Sequence, residues 1–119
     1  MKVLIIGASK NPERYSYKAM KRLEENGHST ILFNPTLSEI EGHPVVNSLS
    51  NIHEHIDTVT LYVGEKHLLP MVNEIIALKP RRIISNPGTE TTQMREAAEK
   101  AGILYLEACT LVLLATYQF

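Results

Sequence analysis

Short unbroken apolar runs alternate along the chain with longer segments in which apolar residues recur every three or four positions. The first run, Val3-Leu4-Ile5-Ile6, has no polar alternation and stops at Gly7. That is the pattern of a strand buried on both faces of a parallel sheet. Ser16 to Asn26 then places Ala19, Met20 and Leu23 on one helical face and Lys18, Lys21, Arg22, Glu24 and Glu25 on the other. Ser16 is the expected N-cap of that helix and Gly27 its left-handed stop. Thr30-Ile31-Leu32-Phe33 follows as a second strand, ended by Asn34–Pro35. Strand, helix and strand within about thirty residues match the size of one right-handed parallel crossover.

The alternation continues. Ile40 to Asn51 is irregular, punctuated by Gly42 and Pro44, with Val45–Val46 as a very short strand. Thr58 to Val63 reads as a strand. A helix follows with Leu68, Leu69, Val72, Ile75 and Ile76 on one stripe, in which Pro70 fits only within the first turn. Arg82 to Ser85 is a strand closed by Asn86-Pro87-Gly88. Thr91 or a neighbour caps a helix carrying Met94, Ala97, Ala98 and Ala101 that stops at Gly102. Ile103 to Leu106 is the last strand, and the apolar tail from Cys109 to Phe119 packs as a short helix. The pattern predicts an α/β fold over residues 1–119: one domain with a doubly wound, mostly parallel Rossmann-like sheet and helices on both faces. In such sheets ligands bind beyond the carboxyl ends of the strands, where strand order reverses. The segments leaving those ends are Gly7 to Tyr15, Asn34 to Leu37, Gly64 to His67 and Asn86 to Thr89.

Composition narrows the function. At 119 residues with 44% hydrophobic and 21% charged residues, the chain has the balance of a globular domain, which excludes disorder and collagen-like repeats. A formal net charge of −1 argues against nonspecific nucleic-acid binding and polybasic membrane attachment. The single Cys makes the reducing cytoplasm the expected compartment. The run at Val3 to Ile6 is cut short by Lys10, Glu13 and Arg14, so no signal-peptide core is expected, and no apolar run is long enough to cross a bilayer.

Against that neutral background, residues 10 to 22 carry Lys10, Arg14, Lys18, Lys21 and Arg22 with Glu13 as the one acid. Lys18, Lys21 and Arg22 read as a solvated helix face; Lys10 and Arg14, in the loop itself, are candidates for ligand contact. Gly7 permits a tight turn, and the helix beyond it offers unpaired N–H groups and a positive dipole end, which suit a phosphate. The strict fingerprints are absent: Ser9 and Pro12 stand where a dinucleotide G-x-G-x-x-G needs glycines, there is no Gly-Lys-Ser/Thr, and Phe33-Asn34-Pro35 lacks the carboxylate that holds a nicotinamide nucleotide's ribose. Asn34 can hydrogen-bond a ribose or base edge without that charge. Asn86 either fixes the Pro87–Gly88 turn or lines the groove; Tyr62 reads as core before binding surface.

Ile5-Ile6-Gly7-Ala8-Ser9, Pro12-x-Arg14-Tyr15-Ser16-Tyr17, Asn34–Pro35, Gly42-x-Pro44 and Asn86-Pro87-Gly88, taken in order, resemble the CoA-binding domain family, which is similar to the N-terminal domain of the succinyl-CoA synthetase α subunit. The resemblance covers essentially the whole chain. It implies a small stand-alone module that binds CoA or an acyl-CoA through its adenosine diphosphate. Gly7, Ala8, Ser9, Lys10 and Asn11 would lie along the phosphates with Arg14 and Ser16 near them, Asn34 and Pro35 would border the nucleotide, and Ser85, Asn86 and Pro87 would face it. The synthetase domain has a lysine after its second strand where this chain has Thr36 and Leu37, so a 3′-phosphate would rely on Lys10 or Arg14. The synthetase's phosphohistidine domain and partner subunit are missing, so the resemblance implies binding without catalysis.

Other chemistry is thinner. Cys109 would sit at the start of the last helix, whose dipole lowers a thiol pKa, but no base is indicated and a buried inert thiol is the simpler reading. His53-x-His55 lacks further metal ligands. The tail Leu111 to Ala115 with Tyr117 and Phe119 either completes the core or forms a homodimer patch. The alternatives to CoA binding are an NAD(P)-binding Rossmann enzyme or sensor and a protein-interaction module with a vestigial pocket.

Overall fold

The computed structural model describes residues 1–119. Seven strands form one sheet in the order β3-β4-β2-β1-β5-β6-β7. They are β1 (Lys2–Ile6), β2 (Ser29–Phe33), β3 (Glu39–Ile40), β4 (His43–Val46), β5 (Thr58–Leu61), β6 (Arg82–Ser85) and β7 (Leu104–Glu107). All pairings are parallel except the edge hairpin β3–β4. The helices are α1 (Tyr15–Glu25), α2 (Glu65–Leu68), α3 (Val72–Ala77), α4 (Thr92–Lys100) and α5 (Thr110–Ala115). The expected doubly wound α/β sheet is therefore present. The chain runs outward from β1 through β2 and β4, returns to β5 on the other side of β1, and runs outward again. The reversal lies between β1 and β5.

β1 is buried on both faces, and its period-two geometry divides its side chains between two cores. Val3 and Ile5 meet Met20 and Leu23 of α1 and Leu114 of α5. Leu4 and Ile6 meet the opposite cluster, built from Val59, Leu61, Leu68, Ile75, Ile83, Met94 and Ala98 on the α2–α4 side. Each of the fully enclosed Val, Leu, Ile and Met side chains among these contributes about 1.5–3 kcal/mol relative to exposure. Leu114 of the tail is buried, whereas Val112 and Tyr117 are exposed.

Three local expectations need correction. The α1 N-cap is Arg14, with no side-chain cap, and Ser16 lies buried inside the first turn. β5 ends at Leu61 rather than Val63, because its neighbour β1 ends at Ile6, paired with Leu61, and turns away at Gly7. Tyr62 and Val63 are thereby released into the strand-end loop. The helix read after residue 64 is broken at Pro70, which opens a 3-10 turn (Leu69–Met71) between α2 and α3. Thr91 does cap α4, accepting from the Met94 N–H at 3.1 Å, and Gly27 and Gly102 take positive φ after α1 and α4.

At the amino ends of the strands, the C-terminal Phe119 ring is held by Arg82, whose guanidinium carbon stands 4.3 Å from the ring centroid, and by the edge of His28 at 5.1 Å. His28 Nδ1 lies 3.2 Å from the N-terminal amine. Burial, the N-terminal charge and then Arg82 hold the imidazole pKa below its ordinary 6.5. The folded chain thus binds this proton less well than the unfolded chain, so His28 makes stability fall as pH drops below about 6.5. Urea unfolding at pH 7.5 and 5.5 should show a larger acid loss for the native chain than for His28→Gln; equal losses would contradict this. Asp57, paired with Arg81 at 3.0 Å and held below the usual carboxylate range chiefly by that bond, acts in a separate window: its contribution is lost only at more acid pH.

Candidate functional site

The reversal between β1 and β5 opens a cleft of about 420 Å³ beyond the carboxyl ends of the strands. It is lined by Gly7, Ala8, Ser9, Arg14, Tyr15 and Ser16 from the β1–α1 connection, and by Asn34 after β2. Tyr62, Val63 and Gly64 after β5, with Pro87, Gly88 and Thr89 after β6, complete it.

The β1–α1 loop is built from its own hydrogen bonds. The Gly7 and Ala8 N–H groups both donate to the Phe33 carbonyl, at 3.1 and 3.0 Å, which seats the loop on the end of β2. The Asn11 N–H donates to Ser9 Oγ at 3.0 Å, the Glu13 N–H to Asn11 Oδ1 at 3.0 Å, and the Arg14 N–H to the Asn11 carbonyl at 3.0 Å. The amides left without a partner in the chain are those of Ser9 and Lys10 and of Tyr15, Ser16 and Tyr17 in the first turn of α1. Ser9, Tyr15 and Ser16 line the cleft, and no acidic residue occupies that first turn. Unpaired N–H groups at the positive end of a helix of 11 residues make a seat for an anion.

The cations sort as follows. Lys21 pairs with Glu41 at 2.8 Å, beside a Tyr17–Glu41 hydrogen bond; Arg22 lies 4.0 Å from Glu25, and Lys18 stands 5.5 Å from the Tyr15 ring centroid. Lys10 and Arg14 form no ion pair. Arg14 lines the cleft and Lys10 does not.

Of the sequence-derived residues, Gly7, Ala8, Ser9, Arg14, Ser16, Asn34 and Pro87 meet around the cleft, while Lys10, Asn11, Pro35, Ser85 and Asn86 do not line it. The phosphate-side role expected of Gly7 and Ala8 finds their amides already engaged by Phe33. The Asn34 side chain is committed at both ends: Nδ2 donates to the Ala8 carbonyl at 2.9 Å, and Oδ1 accepts from the Thr36 and Leu37 N–H groups at 2.9 and 3.1 Å. It positions the loop, and one Nδ2 hydrogen remains uncommitted. Ser85 is fully buried against Thr89, Oγ to Oγ1 at 2.7 Å. Asn86 is 3% exposed and ties three elements together: Nδ2 donates to Thr60 Oγ1 and the Leu61 carbonyl of β5, and Oδ1 accepts from the Thr110 N–H that opens α5.

Tyr15, Gly64, Gly88 and Thr89, which line the cleft, lie within the strand-end segments expected to hold the site, whereas Tyr62 and Val63 line it from outside them. The signal that reaches Tyr62 and Val63 is positional, since they directly follow the end of β5 at Leu61. Tyr62 carries its ring along the cleft wall, and its hydroxyl is enclosed beside the Thr60–Thr110 hydroxyl pair without completing a hydrogen bond. Burial pushes its pKa up to about 12, tempered by the Thr110 and Thr60 hydroxyls and reinforced by Cys109, so the phenol stays neutral.

Comparison with known proteins agrees with this fold. A solved structure of an uncharacterized protein is 40% identical and superposes with a TM-score of 0.93, covering 99% of this chain and 97% of that one. The uncharacterized protein YneT of Bacillus subtilis (strain 168) is 29% identical over 75 residues, which is 63% of this chain and 56% of YneT, little more than half its length. An acetyl-coenzyme A synthetase 1 of Ca. Korarchaeum cryptofilum, solved with phosphate and ADP, shares the fold at a TM-score of 0.76 and 17% identity, over 90% of this chain and 25% of that one. No helix of the chain is long and apolar enough to cross a membrane. The family model of the CoA binding domain matches residues 1–115, and the chain belongs to that family.

Proposed function

We propose that the chain binds CoA or an acyl-CoA with the adenosine diphosphate portion in the β1–β5 cleft, and that it has no catalytic residues of its own. Family membership supports a CoA-binding role. The observation that carries the finer reading is the set of unpartnered amides on Ser9, Tyr15 and Ser16 within a cleft that also holds the unpaired Arg14. The diphosphate would accept from those amides, with Arg14 supplying the countercharge. A nicotinamide nucleotide fits less well. The end of β2 offers no carboxylate for ribose hydroxyls.

Calorimetry with CoA, dephospho-CoA, ADP and NAD tests this. CoA is expected to bind with Kd well below about 1 mM, roughly −4 kcal/mol, and more tightly than NAD. Arg14→Glu should weaken CoA about tenfold or more at low salt, with a smaller effect at high salt, as screening of an exposed charge requires. NAD binding tighter than CoA would reverse the reading, and an unchanged CoA affinity in the Arg14 variant would move the diphosphate elsewhere.

A further inference from the structure

A second cavity, about 250 Å³, adjoins the cleft and shares Tyr15, Tyr62 and Pro87 with it; Asn86, Cys109 and Leu111 complete its wall. Its chemistry is the opposite of the cleft's. None of its lining side chains is charged. Asn86 has both ends of its amide consumed by Thr60, Leu61 and Thr110. The Tyr62 hydroxyl is fully enclosed, so that residue presents ring carbon. The surface on offer is aromatic, aliphatic and thiol. Such a wall gains nothing from a phosphate or sugar and favours an apolar group delivered by a ligand anchored next door.

Resting on the reading of the cleft as a CoA site, we infer that this cavity receives the acyl group of a short-chain acyl thioester, so that the physiological ligand is the acylated cofactor rather than the free thiol. The polar cleft and the apolar cavity then match the two ends of one molecule. The diphosphate would lie on the amides opening α1, the pantetheine arm would double back along the cleft, and the acyl carbons would lie between Tyr15, Pro87 and Leu111, with Cys109 on the wall. The limited volume selects short chains over fatty ones.

The test is a calorimetric series of CoA, acetyl-CoA, butyryl-CoA, hexanoyl-CoA and palmitoyl-CoA under reducing conditions. Each buried methylene is worth about fourfold in affinity. The series should therefore rise at least tenfold from CoA to butyryl-CoA and stop rising once the cavity is full. Cys109→Leu, which narrows the cavity, should bring the butyryl-to-CoA affinity ratio close to one. Cys109→Ala, which widens it, should carry the rise to a longer chain than the one at which the native protein levels off, and it serves if the leucine variant fails to fold. CoA binding with no dependence on chain length overturns this inference and leaves the reading of the cleft intact. A ratio unmoved by both variants places the acyl group elsewhere. Binding of none of the series overturns the cleft reading and this inference together.

Discussion

Replacing Asn86 with alanine is expected to lower the unfolding free energy by about 3 kcal/mol or more, and the melting temperature by roughly 10 °C. Asn86 is 3% exposed, and its three bonds, at 2.7, 2.8 and 2.8 Å, join the ends of β5 and β6 to the start of α5. Alanine removes the amide and leaves the Leu61 carbonyl and the Thr110 N–H buried without those partners. An orphaned buried group costs about 1–3 kcal/mol, and two are created here. A domain with a total stability of about 5–15 kcal/mol feels that as a large fraction of the whole. Asn86→Asp should be no better: it keeps an acceptor for Thr110 but turns a carboxylate toward the Leu61 carbonyl in an enclosed site. Chemical denaturation decides it. A loss under about 1 kcal/mol for the alanine variant would mean that water or a shifted backbone replaces these bonds.

Gly7→Ala should be nearly as damaging and should also spoil ligand binding. Gly7 has φ +94, and a Cβ there would stand 2.9 Å from the Tyr62 carbonyl oxygen and 2.9 Å from Val63 Cγ1. The valine side chain can swing aside. The Tyr62 backbone cannot do so easily, because its N–H is bonded to the Ile6 carbonyl at 2.8 Å. Positive-φ strain of about 1–3 kcal/mol therefore adds to a collision with backbone, for a total of about 3 kcal/mol. Gly27→Ala is the control: φ is +83, yet nothing lies within 4 Å of the new Cβ, so strain alone operates. The excess of Gly7→Ala over Gly27→Ala measures the contact between the β1–α1 loop and the end of β5. Folded Gly7→Ala should bind CoA at least tenfold more weakly, about 1.4 kcal/mol, because relief of the collision must part the two cleft walls. Equal destabilisation by the two variants would show that the loop yields without consequence.

Gly7 also shows how far a glycine can be read from sequence. A sharp turn after the first apolar run was legible, because a continuous β-branched run ending in Gly has few other meanings. Part of the reason for the glycine lies elsewhere. It also accommodates the carbonyl of residue 62, which is distant in sequence. Asn34 and Asn86 repeat the lesson. Both are correctly placed at strand ends by the pattern, yet both engage the scaffold: Asn86 bonds Thr60, Leu61 and Thr110, and Asn34 bonds the Ala8 carbonyl and the N–H groups of its own turn. A polar side chain at a strand end serves a ligand or the scaffold according to which acceptors the fold brings within 3 Å, and that is a property of long-range contacts.

The order of apolar runs and amphipathic segments determined the α/β class, the parallel sheet and the strand-end location of the cleft, since burial periodicity and short crossovers leave little freedom. The sheet order, with its reversal between β1 and β5, brought the β5 and β6 ends into the same wall, so Tyr62, Val63, Gly88 and Thr89 became neighbours of Ser9 and Arg14. Tertiary structure decided the part of the free-amide pattern that the local turn and the helix opening do not. Phe33, distant in sequence, takes those of Gly7 and Ala8, whereas the local turn around Asn11 takes those of Asn11, Glu13 and Arg14, which leaves Ser9, Lys10 and the opening of α1 as donors. Hydrogen-bond satisfaction is settled by the sum of all contacts around a group, and no local stretch of sequence contains that sum.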